Sequence, residues 1–237
     1  MQREMTQPAA ERVLQKILGP NGFLHRERRA KLLLTSIVLF YILPALSEHR
    51  AIGKLAIVLV LYVALAAAAM ELAAHRALLW SAIPLALTSM VLLAIGQFYP
   101  TPFVLIARGV ALAAFFCLVS ISLFIYLGKP EKAALGGMYI TVSLYFLLGM
   151  CWFAIYSLLN IVQPGSFTEQ GKPLPPDAPW STVLYFSLVT LTTLGYGDIV
   201  PVRPAARMFV TLEAAAGILY VAITVARLVS ARQEKSE

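Results

Sequence analysis

Chemistry in this chain concentrates in one short stretch, Thr192-Thr193-Leu194-Gly195-Tyr196-Gly197-Asp198. It follows an aromatic, amphipathic run from Trp180 to Leu191 and precedes the turn Ile199-Val200-Pro201 and a long apolar segment. Two glycines can take positive φ or unusual ψ at little cost, so successive backbone carbonyls can all turn the same way. A row of carbonyl oxygens is a ligand set for a cation stripped of its water. In lipid-embedded protein, non-helical backbone survives only where it lines a polar path or is buried in protein, and a Gly-Tyr-Gly between a short helix and a long apolar one fits that exception. A Gly-x-Gly can also open a dinucleotide or phosphate loop, but that needs a third glycine and a strand–turn–helix setting. Position 200 is Val and the surroundings are apolar helices, which excludes it.

Few other side chains offer chemistry. Glu213 lies inside an apolar run, where an unpaired carboxylate costs on the order of 2.5–3.5 kcal/mol, so it must face protein or water. Three readings of it stand: a bracing hydrogen bond to the back of the short helix before Thr192, a ring of negative charge in a central cavity, or a neutral Glu that only packs helices. Glu71 serves its own helix interface or pairs with Arg76. Arg108 is the one basic residue of the stretch 103–127. Cys117 and Cys151 fall in apolar runs and read as small buried hydrophobes rather than a disulfide or metal pair. Gly217, Ile218, Val221, Val225 and Val229 fall at near-helical spacing. They read as the lining of an inner pore, where a Val or Ile ring closes a path by dewetting, or as the plain stripe of a packed membrane helix.

Helices in a bilayer must position these residues. The 237 residues are 59% hydrophobic and only 13% charged, with a mean hydropathy of +0.78, the composition of an integral membrane protein. The net charge of +7 sits at the ends of apolar runs rather than in one patch, which argues for anchoring at the cytoplasmic face and against a nucleic-acid partner. The expected fold class is an all-α membrane protein with spans at roughly 30–47, 52–74, 77–97, 103–127, 133–160 and 203–230, plus a short re-entrant helix at about 180–192. Tyr99-Pro100-Thr101-Pro102 separates the third span from the fourth, because paired prolines remove donors and end helices. The Pro- and Gly-rich segment 163–179 reads as an external turret.

Four parts follow in order: a cytoplasmic N-terminal amphipathic and basic segment (1–31), a four-helix membrane domain (32–128), a pore domain (129–231) and a short cytoplasmic tail (232–237). In the first, Val13, Leu14, Ile17 and Leu18 beside Arg12, Gln15 and Lys16 have the spacing of a helix lying along the interface. The first apolar run begins only after Lys31, which argues against a cleavable signal peptide. Placing both termini inside puts most of the nineteen Lys and Arg residues on the cytoplasmic side and the filter at the outer face. Arg50 and Lys54 fall on the wrong side of that arrangement.

Residues 180–231 resemble the pore module of the tetrameric potassium channel family: a pore helix, a Thr-Leu-Gly-Tyr-Gly-Asp filter and an inner helix. Leu194 stands where the family usually has Val or Ile, and Gly217 where it often has an inner-helix hinge. Many simple members carry a Glu on the pore helix behind the filter to pair with the Asp after it. Here that place is Val189, so Asp198 must find another partner.

The resemblance implies potassium as the permeant ion, coordinated by the filter residues Thr193, Leu194, Gly195, Tyr196 and Gly197, with the Thr193 hydroxyl at the inner end. One filter copy per chain implies a homotetramer, three identical subunits joining the first around an axis. Tyr196 is expected to turn its ring away from the ion toward Tyr185 and Phe186, which with Thr192, Asp198 and Glu213 support the filter. The pore-helix C-terminus favours a cation in the cavity. No enzyme activity and no cofactor are implied; the other partner is the lipid bilayer, in a plasma or inner membrane. A non-selective pore commonly loses the Tyr or the second Gly, and a potassium-uptake transporter carries four degenerate filters in one chain; neither matches. A sensor presents Arg or Lys every third residue, so Arg108 alone argues for weak or absent voltage gating. The rival reading is a membrane receptor or scaffold that keeps a channel fold without conducting selectively. The short tail leaves no cytoplasmic ligand-binding domain after the sixth span.

Overall fold

A computed structural model of the single chain describes residues 23–47, 76–99, 101–127, 135–176 and 178–233. The expected helix around 12–18, the span at 52–74 with Glu71, Lys129 and Lys132, and the tail 234–237 lie outside the described residues. The elements are α1 (Phe23–Ser47), α2 (Arg76–Phe98), α3 (Pro102–Leu127), α4 (Leu135–Val162), β1 (Phe167–Glu169), β2 (Lys172–Pro173), α5 (Trp180–Leu191), β3 (Ile199–Pro201) and α6 (Pro204–Gln233). They belong to two compact units: one holds α1 with residues 125–143, the other the described residues of 72–124 and 144–233.

Mostly helical architecture follows from the apolar runs, since backbone groups in lipid must be satisfied within their own segment. Among the described residues, three helices are long and apolar enough to cross a membrane: Pro102–Ile125, Met138–Val162 and Pro204–Arg227. The apolar parts of α1 and α2 are shorter, Ala30–Ile42 and Ile83–Gly96. In the first unit, Ala30, Leu33, Ile37 and Phe40 form the buried stripe of α1, while Leu32, Leu39 and Ile42 are exposed. Lys31 pairs with Glu27 one turn before it at 2.7 Å and lies over the Tyr139 ring.

The break before α3 has a clear local cause. Pro102 opens the helix, where a missing N–H costs nothing. Thr101 precedes it and accepts from the Val104 N–H through Oγ1 at 3.4 Å.

The segment read as a turret is more ordered than its composition suggested. β1 and β2 form a two-residue hairpin whose turn residues Gln170 and Gly171 both have positive φ, 48° and 79°. β3 then pairs antiparallel with β1, giving the order β2-β1-β3. In that register Phe167, Thr168 and Glu169 face Pro201, Val200 and Ile199. The sheet lies over an apolar core of Tyr156, Phe167, Leu174, Val183, Phe186 and Ile199. Asn160, buried at the end of α4, donates through Nδ2 to the Leu174 and Pro175 carbonyls at 3.3 and 2.7 Å and ties the hairpin to the helix.

Candidate functional site

The filter residues leave α5 in a conformation that only a special sequence tolerates. Thr193, Gly195 and Gly197 have positive φ, 57°, 55° and 79°, and Leu194 and Tyr196 between them do not. Alternation between left- and right-handed residues turns successive peptide planes so that like groups face one side. A β-branched residue at positive φ is an outlier that costs on the order of 1–3 kcal/mol, held by its surroundings. The holding contacts are the Thr193 N–H to Thr190 O at 2.9 Å and the Leu194 N–H to Val189 O at 2.9 Å. A Cβ at 195 or 197 would meet nothing within 4 Å, so these glycines are required by backbone conformation and not by space.

Helix α5 ends with its carbonyls occupied. The Thr192 hydroxyl donates to Leu188 O at 2.7 Å, and Tyr145 on α4 donates to Leu191 O at 3.2 Å. The helix terminus is thus fixed from α4 while its dipole still points past the filter.

Asp198 finds its partner on α5. Tyr185 Oη donates to Asp198 Oδ2 at 2.8 Å, and the Asp198 carbonyl accepts from Gln170 N–H in the hairpin turn at 3.0 Å. Val189, behind the filter, is buried and apolar. Phe186 turns the other way, into a tilted contact with Tyr156 and an edge contact with Phe167, both with ring centroids 5.4 Å apart. Tyr196 does not lie on it, and its ring is 67% exposed on the single chain, as is 56% of Leu194.

Glu213 is wholly buried, in contact with two other helices. Tyr156 Oη of α4 donates to its Oε2, and Ser187 Oγ of α5 lies 2.6 Å from its Oε1 and 2.8 Å from the Gly149 carbonyl of α4. One turn on, Gly217 lies on the same buried face of α6, where a Cβ would be driven into the Leu191 carbonyl oxygen. The close approach of α6 to α5 explains this glycine.

Gly217 therefore stands apart from Ile218, Val221, Val225 and Val229, which are exposed on the single chain. Only 11% of the apolar window of α6 is buried, against 39% for α3 and 44% for α4. Cys117 and Cys151, from α3 and α4, are both free thiols with their sulfurs 3.0 Å apart. Arg108 is half-buried near Gly96.

Sequence reasoning missed Tyr145, Tyr156, Ser187 and Asn160. Each is a single polar group on an otherwise apolar helix, a signal in retrospect because such groups must be partnered there.

A short helix, a loop of alternating φ sign and a long helix braced from behind are consistent with a channel fold. Among known proteins, residues 140–234 match the family described as "Ion channel". The chain is 38% identical over 85 residues to Two pore potassium channel c of Oryza sativa subsp. japonica, covering 36% of this chain and 18% of that protein. It is 33% identical over 96 residues to Inward rectifier potassium channel Kirbac3.1 of Paramagnetospirillum magnetotacticum, with shares of 40% and 27%. It is 31% identical over 106 residues to Voltage-gated potassium channel Kch of Escherichia coli (strain K12), with shares of 44% and 23%. The matches thus span about a quarter or less of those relatives' lengths. No solved structure matches the chain. Residues 140–234 are thus similar to the ion-channel family, and the relatives that they match carry the names of potassium channels.

Proposed function

We propose that this protein is a passive, potassium-selective channel in which four identical chains bring their filters together on one axis. Potassium exchanges its water for the carbonyls of Thr193, Leu194, Gly195, Tyr196 and Gly197, with the Thr193 hydroxyl at the inner end, and moves in single file down its gradient. The observation that carries this reading is the alternation of φ sign along Thr193–Gly197, maintained at an energetic cost at Thr193. A strained threonine without a function would be replaced by an unstrained turn. Tyr185, Asp198, Thr192, Phe186 and Glu213 support the filter, and the Ile218–Val229 stripe lines the inner path. The protein is multi-pass with both termini cytoplasmic, in a plasma or inner membrane, and Arg108 leaves it at most weakly voltage-dependent.

Purified chain in liposomes tests the reading by potassium flux, with barium as blocker and Gly195→Asp as control. The expected result is barium-sensitive potassium flux exceeding sodium flux, lost in the control. Correctly inserted protein that carries no such flux would favour a receptor or scaffold with a channel fold.

A further inference from the structure

Around Glu213 the protons can be counted. The Ser187 hydroxyl carries one hydrogen, and two oxygens compete for it: the Gly149 carbonyl at 2.8 Å and Glu213 Oε1 at 2.6 Å. A backbone carbonyl can only accept, and an ionised carboxylate can only accept. With an ionised Glu213, one of these two close oxygen–oxygen contacts would have no hydrogen in it. On the other carboxyl oxygen, Oε2, the Tyr156 phenol already supplies a proton. The second proton at Oε1 must then come from the carboxyl itself.

Charge points the same way. Glu213 is fully buried, and among the described residues the only ion pair is Lys31–Glu27, in the other unit. The further titratable groups of α4 that face it, Tyr145 and Cys151, have no cationic form. α5 carries no Lys, Arg or His, and α6 carries none between Arg207 and Arg227. An isolated buried carboxylate carries a large desolvation cost, which protonation removes.

We propose that Glu213 is a neutral carboxylic acid that donates its own proton to Ser187. The bonds then run one way: Tyr156 Oη–H to Glu213 Oε2, Glu213 Oε1–H to Ser187 Oγ, and Ser187 Oγ–H to the Gly149 carbonyl. Every proton has one acceptor and every contact holds one proton. The chain begins and ends on α4, passing through α6 and α5, so the pore helix is clamped to both long helices without a buried charge. Glu213 is in this sense a positioning residue for the pore helix. The inference rests on side-chain geometry and stands whether or not the chain conducts potassium.

Glutamine distinguishes the two protonation states. Its carbonyl accepts from Tyr156 and its amide donates to Ser187, copying the acid, whereas an ionised Glu213 would have accepted at both oxygens and a Gln amide would face a donor. Infrared difference spectra of the full chain in liposomes at neutral pH, wild type minus E213Q, should contain a protonated-carboxyl C=O band. Thermal unfolding of E213Q should track wild type, while E213A, which leaves both hydroxyl groups short of a partner, shifts the folded-to-unfolded ratio by roughly tenfold or more. A carboxylate band in place of the acid band, or E213Q as unstable as E213A, overturns the proposal. The infrared comparison needs only wild type and E213Q and decides the matter even if E213A fails to fold.

Discussion

At position 189 the pore helix presents a buried valine, so the Asp198 carboxylate has no acid beside it and instead accepts a hydrogen bond from Tyr185 at 2.8 Å. The pair is exposed, so solvent screening reduces this bond to about 1 kcal/mol or less. Tyr185→Phe removes the donor and little volume. Single-channel recordings of the reconstituted variant should show open lifetimes shortened by at most about fivefold with assembly intact. An unchanged lifetime would mean that the Gln170 N–H and the sheet hold Asp198 unaided. Gly217 supports a second prediction, because two explanations for it differ in sign. As a hinge it should tolerate alanine in the folded protein, and alanine adds about 1 kcal/mol of helix propensity. The Leu191 carbonyl, however, occupies the place of the new Cβ. Overpacking of this kind costs about 1–3 kcal/mol, so thermal unfolding of Gly217→Ala should occur at a lower temperature than wild type. Gly195 and Gly197 were legible from the motif because backbone conformation alone requires them. Gly217 was legible as a glycine but not for its reason, which lies in another helix.

Elements were legible where hydrophobicity had a long run to act on. The helices α3, α4 and α6 lie where apolar stretches predict them, and Thr101 and Pro102 mark a boundary that is visible in the sequence. The sheet was not visible, since strands of two and three residues, two of them ending in proline, carry no periodicity. Only the Gln170-Gly171 turn signals the hairpin, and the pairing of β1 with β3 joins residues some thirty positions apart in sequence. Tertiary contact adds a detail to the cysteines: both are free thiols, as their apolar runs suggest, and Cys117 and Cys151 meet across α3 and α4. That contact gives a test of helix packing. A membrane-permeant aromatic disulfide should oxidise the pair, each protein losing two hydrogens to the reagent, which leaves as two thiols. Intact mass should fall by two hydrogens and the thiol titre of the unfolded protein should drop to zero. Retention of both thiols, or labelling of each by separate reagent molecules, would place the two helices in a different register.

Among the described residues, α3 offers only one of the repeated charges that a voltage sensor needs. Along α3 the sole basic residue is Arg108, in the second turn of the helix and half-buried beside Gly96. One charge crossing the full field is worth ~2.3 kcal/mol per 100 mV, so four copies supply at most about 9 kcal/mol, where dedicated sensors move three to four charges per subunit. Arg108 begins near one end of its helix and would cross only part of the field, which lowers the figure further. In the proposed channel, displacement of α3 is therefore a weak source of gating energy. Planar-bilayer recordings across a wide voltage range should give a shallow conductance–voltage relation, and Arg108→Gln should leave its slope unchanged while any loss of protein yield reports the packing against Gly96. A steep relation that flattens in Arg108→Gln would make this single arginine the sensor and reverse the reading of α3.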